Sequence, residues 1–384
     1  MGDIYTSREM IEKLIGFNTT SSLSNLPLIE FVEEYLKSHG VESQRVYNED
    51  KTKANLYATV GPKTEGGVVL SGHTDVVPVD GQPWETDPWS IVEKDGKLYG
   101  RGTCDMKSFS AIGLSLVPEM LKANLKKPIH FALSYDEEVG CVGAPAMISE
   151  MAELLPQSHA VIVGEPTDMK ITNAHKGILG LRTHIRGHEV HSSQVERGVS
   201  AVMIGAKLVN FITEMMAANK AAADRSLEFD PPYSTLTVGV INGGTAGNII
   251  ARDCEFEWDI RTMPGDDPHQ FVKRFRDYCK TLIPDMKKIS DDCDIVTVIE
   301  SEVPALCPEE DGAADALVRQ LTGQNTTQVV PYAAEAGQFQ EAGYSTIICG
   351  PGSIDQAHQP NEFIEISQVE LCEKMLRRLI EVQA

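Results

Sequence analysis

The sequence predicts an α/β protein whose largely parallel central sheet is interrupted by a smaller inserted α+β module. Two observations lead to that expectation. Apolar, β-rich runs at Asn55 to Val60, Gly67 to Ser71, Ile129 to Ser134, Ala160 to Val163 and Ser345 to Cys349 have the length of buried strands, and helical stretches separate several of them. Between about Ile178 and Glu302 the order changes to strand, helix, strand, strand, helix, strand, after which the first pattern resumes.

Each element has its own signal. Near the N-terminal end, apolar residues recur at helical spacing in two blocks, Met10 to Ile15 and Leu28 to Leu36, with a Thr/Ser-rich break between them. Thr6 or Ser7 reads as the N-cap of the first helix, and Gly40 as the residue that closes the second. Phe109, Ile112, Leu116, Val117 and Met120 form one stripe of 3.6-residue period. The inserted stretch reads as strand 179–186, helix 199–218, strands 234–241 and 254–261, helix 267–283 and strand 294–300. This βαββαβ order resembles a ferredoxin-like module. The expected division is therefore residues 1–177 and 303–384 in one domain and 178–302 in the other, a partition that suits 384 residues.

Composition narrows the function. A hydrophobic content of 42% is enough for two buried cores. With 56 acidic and 34 basic residues the formal charge is −22, a surface that repels phosphate backbones, so no nucleic-acid partner is expected. No run of eighteen apolar residues and no charged-then-apolar leader pattern is present, so the expectation is a cytoplasmic protein with no membrane partner. The eight cysteines form no C-x-x-C pair, which suits reduced thiols rather than a zinc ribbon.

The residues just beyond each strand carry the chemistry. Val68-Val69-Leu70 leads into Gly72-His73-Thr74-Asp75, Phe131-Ala132-Leu133-Ser134 into Asp136-Glu137-Glu138, and Val161-Ile162-Val163 into Gly164-Glu165-Pro166. Ile347-Ile348-Cys349 leads towards Ala357-His358-Gln359-Pro360, and Gly102-Thr103-Cys104-Asp105-Met106-Lys107 opens a helix. In open α/β sheets the ligand crevice lies at the carboxyl ends of the strands, so these groups converge on one rim. Singly each is commonplace: an H-x-D pair is often a structural hydrogen bond, a Glu doublet a solvated turn, an Asp before a helix an N-cap. Jointly they would crowd carboxylates that only cations can neutralise.

His73, Asp105, Glu138, Glu165 and His358 make five candidate ligands, where a single structural zinc takes four. Asp105, short and fixed at a helix start, is the candidate to bridge two ions ~3.5–4 Å apart. Glu137 is left over beside Glu138. Adjacent side chains diverge in a turn, so Glu137 is the candidate general base. Asp75, two residues from His73, can orient the ligand imidazole.

At these residues the chain resembles the M20 metallopeptidases and, within them, the acetylornithine deacetylase / succinyl-diaminopimelate desuccinylase group. The shared stretches are S-G-H-T-D-V-V-P-V-D-G-Q-P-W from Ser71, L-Y-G-R-G-T-C-D-M-K from Leu98, D-E-E-V-G from Asp136, G-E-P-T from Gly164, H-K-G from His175 and C-G-P-G-S-I-D-Q-A-H-Q-P-N-E from Cys349. The resemblance runs from about residue 10 to the C-terminus and implies a zinc-peptidase-like catalytic domain with the inserted module as lid and dimerisation domain. It implies two divalent metal ions, zinc or cobalt. His73 and Glu165 would hold one, Glu138 and His358 the other, Asp105 would bridge, and Glu137 would be the acid/base.

In the module, Glu189-Val190-His191-Ser192-Ser193 is similar to the segment whose histidine reaches the substrate carbonyl across a homodimer. The segments around Asn248 and Arg261 resemble those that grip a substrate carboxylate. The implied substrate is a small N-acylated amino acid. The wording P-V-D-G-Q and G-R-G-T-C-D-M-K favours N-acetyl-L-ornithine, hydrolysed to ornithine and acetate in arginine biosynthesis; Glu335 is a candidate partner for its side-chain amine, with a purely structural role as the alternative. Two departures stand out: Ser108 where the family often has Gly, and Tyr332-Ala333-Ala334 where Thr or Ser frequently precedes the Glu. A sister activity (desuccinylase, dipeptidase or aminoacylase) would keep every ligand and alter only the pocket.

Overall fold

The computed structural model describes residues 2–384 and divides the chain into two compact units. One runs to Ala174 and resumes at Leu306–Val329 and Ala334–Ala384; the other is His175–Ala305 with Val330–Ala333. The borders fall a few residues outside the expected 178 and 302. Lys176 explains one of them, since its Nζ donates to the main-chain oxygens of Pro231 at 2.7 Å and Tyr233 at 2.9 Å, within the second unit.

The first unit is built on an eight-stranded sheet. Its order is Ser43–Tyr47, Ala54–Val60, Ile129–Ser134, Val68–His73, Ala160–Pro166, Thr346–Gly350, Ile171–His175 and Thr327–Val330. The four middle strands are mutually parallel, while the first three pair antiparallel to one another. Successive strand residues feed opposite layers. Val68 and Leu70 join Met10, Leu14, Phe109, Ile112 and Phe131 in one core, and Val69 joins Met147, Met151, Val161 and Phe339 in the other. Burial on both faces is why these strands read as continuous apolar runs rather than alternating ones.

Helix Ser7–Ile15 opens with a capping box in which Thr6 and Glu9 satisfy each other's main-chain N–H groups. Gly40 takes φ +78° after helix Leu26–Ser38, the left-handed closing position expected of it. The stripe from Phe109 to Met120 is two helices, Lys107–Ser115 and Val117–Lys122. Pro118 lacks an N–H to continue the ladder and starts a new helix instead. Before Glu165, only glycine fits: a Cβ on Gly164 would stand 2.0 Å from Phe109 Cγ, so the strand lies directly against that ring.

The second unit is a four-stranded antiparallel sheet ordered Thr235–Gly243, Asp253–Thr262, Gly177–Arg186, Asp294–Val303. That is the strand order of a ferredoxin-like fold. Helices Ala201–Ala221 and Pro268–Lys287 pack on one face, where Leu208, Ile212 and Phe275 meet Leu181, Ile185, Phe256 and Trp258. The alternate residues form a mixed open face, where Arg182 pairs with Glu255, Glu257 and Glu300 and Val296 and Val298 stay exposed. Helix Ala201–Ala221 is long and apolar enough to cross a membrane by length and composition. Its buried residues Ala201, Gly205, Leu208, Ile212 and Met215 nonetheless follow helical spacing onto the sheet, as in an ordinary amphipathic core helix.

Candidate metal centre

The rim of the first unit gathers its polar residues from four neighbouring strands. His73 ends strand Val68–His73, and Glu165 lies near the end of strand Ala160–Pro166. Glu137 and Glu138 occupy the turn after strand Ile129–Ser134. His358 sits in the loop beyond strand Thr346–Gly350, at φ +63°. Asp105 immediately precedes the segment that becomes helix Lys107–Ser115. Because the strands run parallel, their carboxyl ends lie side by side, and residues distant in sequence meet.

Asp105 is the centre of the group. Its Oδ1 lies 2.9 Å from His73 Nε2 and its Oδ2 3.3 Å from His358 Nε2, so its two oxygens serve two imidazoles. Around His73 Nε2 stand Glu165 Oε1 at 3.9 Å and Glu137 Oε2 at 4.0 Å; around His358 Nε2 stands Glu138 Oε2 at 2.9 Å. His73, Glu137 and Glu165, and likewise His73, Asp105 and Glu138, bring one ligand atom each within 4.8 Å of one another. The sequence-derived ligand set is thus one cluster, with Glu137 among it.

The electrostatics are those of too much negative charge in too little water. Burial raises the Glu137 and Glu165 carboxyls well above their ordinary range, and neighbouring carboxylates add to it in both. Burial and Asp105 raise Glu138 as well. Hydrogen bonds to Asp105 and Glu138 outweigh burial at His358 and lift it to about 10. At His73 burial opposes the charge, yet the Asp105 and Asp75 contacts hold it well above its usual value. Glu165 Oε1 is buried and finds no hydrogen-bond partner in the protein. Two imidazoles forced towards the cationic form and an orphaned carboxylate oxygen fit a donor set made for divalent cations, which neutralise buried carboxylates directly. Imidazole and carboxylate together suit borderline metals such as zinc.

Supporting contacts refine the expected roles. His73 Nδ1 lies 2.8 Å from the main-chain oxygen of Asp75 and 3.6 Å from its carboxylate. That carboxylate accepts hydrogen bonds from the main-chain N–H groups of Glu137 at 3.1 Å and Glu138 at 3.3 Å, and from Ser21 Oγ at 2.6 Å. The Asp75 carboxylate thus braces the Glu137–Glu138 turn, while the hydrogen bond at His73 Nδ1 goes to the Asp75 main-chain oxygen rather than to the carboxylate expected to orient the ring. Cys141 Sγ donates to Glu137 Oε1 at 3.2 Å. Glu335 is 1% exposed and accepts a long hydrogen bond from Ser71 Oγ at 3.4 Å, and burial raises its carboxyl.

In the second unit, His191 Nδ1 lies 2.8 Å from Ser193 Oγ, and Ser192 N donates to Asn248 O at 2.9 Å, which joins the His191 and Asn248 segments. Arg261 Nε donates to Asp259 Oδ2 at 2.8 Å, and the arginine side chain remains more than a third exposed.

Three polar residues that sequence reasoning left unassigned are Gln82, Arg101 and Glu362, all within stretches that carry the resemblance. Arg101 and Glu362 form a buried ion pair at 2.7 Å. A charged residue four positions beyond His358 was the signal available for Glu362.

Comparison with known proteins agrees with this geometry. Residues 69–382 match the model of Peptidase family M20/M25/M40. The chain is 33% identical to an acetylornithine deacetylase of Pasteurella multocida (strain Pm70), with 97% of this chain and 96% of that one covered. It is 35% identical to an acetylornithine deacetylase of Proteus mirabilis (strain HI4320), covering 93% and 90%. In fold it is similar to the M20 family metallo-carboxypeptidase Sso-CP2 of Sulfolobus solfataricus, with a TM-score of 0.75 and 18% identity over 99% of both chains. The polar cluster on the strand ends, the near full-length likeness and the family match together make this chain a member of the M20/M25/M40 peptidase family, a metal-binding hydrolase that acts on amide bonds.

Proposed function

We propose that the protein hydrolyses N-acetyl-L-ornithine to ornithine and acetate, the deacetylation step of arginine biosynthesis, using two divalent ions, zinc or cobalt. The observation that carries the chemistry is Asp105, whose two oxygens face two imidazoles and can be shared by two ions. His73 and Glu165 would hold one, Glu138 and His358 the other. When bound, the ions supply Lewis acidity, letting a water ionise near neutral pH and polarising the acyl carbonyl.

The chain's own residues do the rest. Glu137, buried and with a raised affinity for a proton, takes one from the attacking water as the water oxygen adds to the carbonyl carbon. The C–N bond then breaks, and Glu137 returns that proton to the departing α-amine. Asp75 keeps Glu137 and Glu138 diverging by holding both of their N–H groups. His191 is assigned to the developing oxyanion, and Asn248 and Arg261 to the substrate carboxylate, which a guanidinium binds in bidentate fashion. Glu335 is assigned to the side-chain amine of the substrate.

A homodimer through the second unit, with His191 acting in the partner's site, belongs to the same reading. Supporting it, edge strand Thr235–Gly243 exposes Val240 and Ile241, and helix Ala201–Ala221 exposes Val202 and Met203. A second copy can cover such apolar, unpaired edges.

The substrate rests on the names of the near full-length relatives, and its test is direct. Amine release from N-acetyl-L-ornithine and from N-succinyl-L,L-diaminopimelate is measured side by side, after chelation and again after zinc or cobalt is restored. Metal-dependent turnover of the first alone is expected; turnover of the second alone would overturn the substrate assignment.

A further inference from the structure

Glu362 is wholly buried, yet its carboxylate is saturated with donors from one loop. Oε1 accepts N–H groups of Gly102 at 3.1 Å, Cys104 at 2.7 Å and Asp105 at 3.0 Å; Oε2 accepts Gly102 N at 3.1 Å and Arg101 Nη1 at 2.7 Å. Arg101, 1% exposed, carries the network onward: Nη2 donates to Gln82 Oε1 at 2.6 Å and Nη1 reaches Gln359 O at 3.4 Å. Gln82 Nε2 in turn donates to the main-chain oxygen of His358 at 3.0 Å. The Asp105 backbone thus hangs from Glu362 and the His358 backbone from Gln82, with Arg101 joining the two.

Stability alone does not account for this arrangement. Burying a guanidinium and a carboxylate carries a large desolvation penalty, and well-packed apolar side chains commonly serve a fold as well. What apolar side chains cannot do is hold three peptide N–H groups of one loop at fixed distances from a second loop. His73 has less need of such help, because it pairs with Ser134 at the end of its strand, and Glu165 lies within strand Ala160–Pro166. Asp105 and His358 lie outside any strand or helix, and His358 sits at φ +63° with a half-exposed ring.

We propose that Gln82, Arg101 and Glu362 form a clamp that sets the spacing of Asp105 and His358, and through it the affinity for the ion held by Glu138 and His358. These are positioning residues, and the inference rests on the two-ion reading above. Glu362→Gln is the informative change. Its amide oxygen can still accept from the loop, but its NH₂ group then faces Arg101 Nη1 or Gly102 N, donor against donor. Outer-shell partners of metal ligands typically alter affinity 10–100-fold.

The test is titration of the metal-free protein with Co²⁺, followed by calorimetry and by the visible absorption of bound cobalt. The wild type should take up two ions per chain. Glu362→Gln should leave one ion within about threefold of its wild-type affinity and weaken the other about 10–100-fold. Gln82→Ala leaves the buried ion pair in place and should weaken the same ion with little change in the melting temperature of the metal-free form; it decides the matter if Glu362→Gln fails to fold. Equal weakening of both ions, or two ions at wild-type affinity in the Gln82 variant, overturns the clamp. A wild type that takes up only one ion overturns the two-ion reading and the clamp with it.

Discussion

Replacing Glu137 by Ala is expected to lower kcat by about 10²–10⁴-fold, the usual contribution of a positioned general base. The ion content per chain should stay the same. Glu137 Oε2 is 4.0 Å from His73 Nε2, farther than Asp105 Oδ1 at 2.9 Å, and Asp105, Glu138 and the two histidines retain their mutual contacts without it. Nor should the fold suffer. Burial, with Glu138, Asp105 and Glu335 nearby, already disfavours the charged form of Glu137, so its removal relieves repulsion in the metal-free protein and leaves only Cys141 Sγ without its acceptor. Turnover with metal content and melting temperature is the decisive combination. Wild-type kcat in a variant that still holds its ions would remove Glu137 from the chemistry.

Asp105→Asn addresses the other half of the site. An amide has the same shape, but only one of its two arms can bind a cation. The shared position is lost, and the remaining four ligands divide into two incomplete pairs. At most one ion per chain should survive dialysis, and turnover should fall by at least about 10²-fold, equivalent to roughly 3 kcal/mol of lost transition-state stabilisation. Elemental analysis of the dialysed variant checks the first statement and a rate assay the second. Two retained ions would show that Asp105 bridges nothing.

The rim itself was legible because the apolar runs and the polar residues at their ends are both local signals. Val68-Val69-Leu70 can only be a buried segment, and His73 and Asp75 come at its end; the same holds for Val161-Ile162-Val163 and Glu165. The ferredoxin-like module was legible for a similar reason, since its order of elements along the chain implies its sheet order. The two-helix break at Pro118 was hidden by a stripe that continues in phase across it.

Long-range polar contacts were not legible at all. Asp75 reads as a partner of His73, two residues away, and nothing local announces that its carboxylate also holds N–H groups 62 and 63 positions further on. A lysine at the start of a helix is ordinarily a solvated charge, yet Lys107 is 1% exposed, with Nζ on the main-chain oxygens of Phe17 at 2.8 Å and Leu14 at 3.3 Å. Burial pushes its pKa down to about 7. Glu362 reaches back more than 250 residues to its donors, and its neighbours in sequence give no hint of them.

The central claim is that one carboxylate, Asp105, is shared by two ions on the rim of the parallel sheet. A crystal structure of the zinc-loaded protein, with data collected at the zinc absorption edge, tests it most directly. Two anomalous peaks ~3.5–4 Å apart are expected, with Asp105 touching both, His73 and Glu165 on one, and Glu138 and His358 on the other. A single peak, or two peaks with Asp105 bound to neither or to only one, would contradict it.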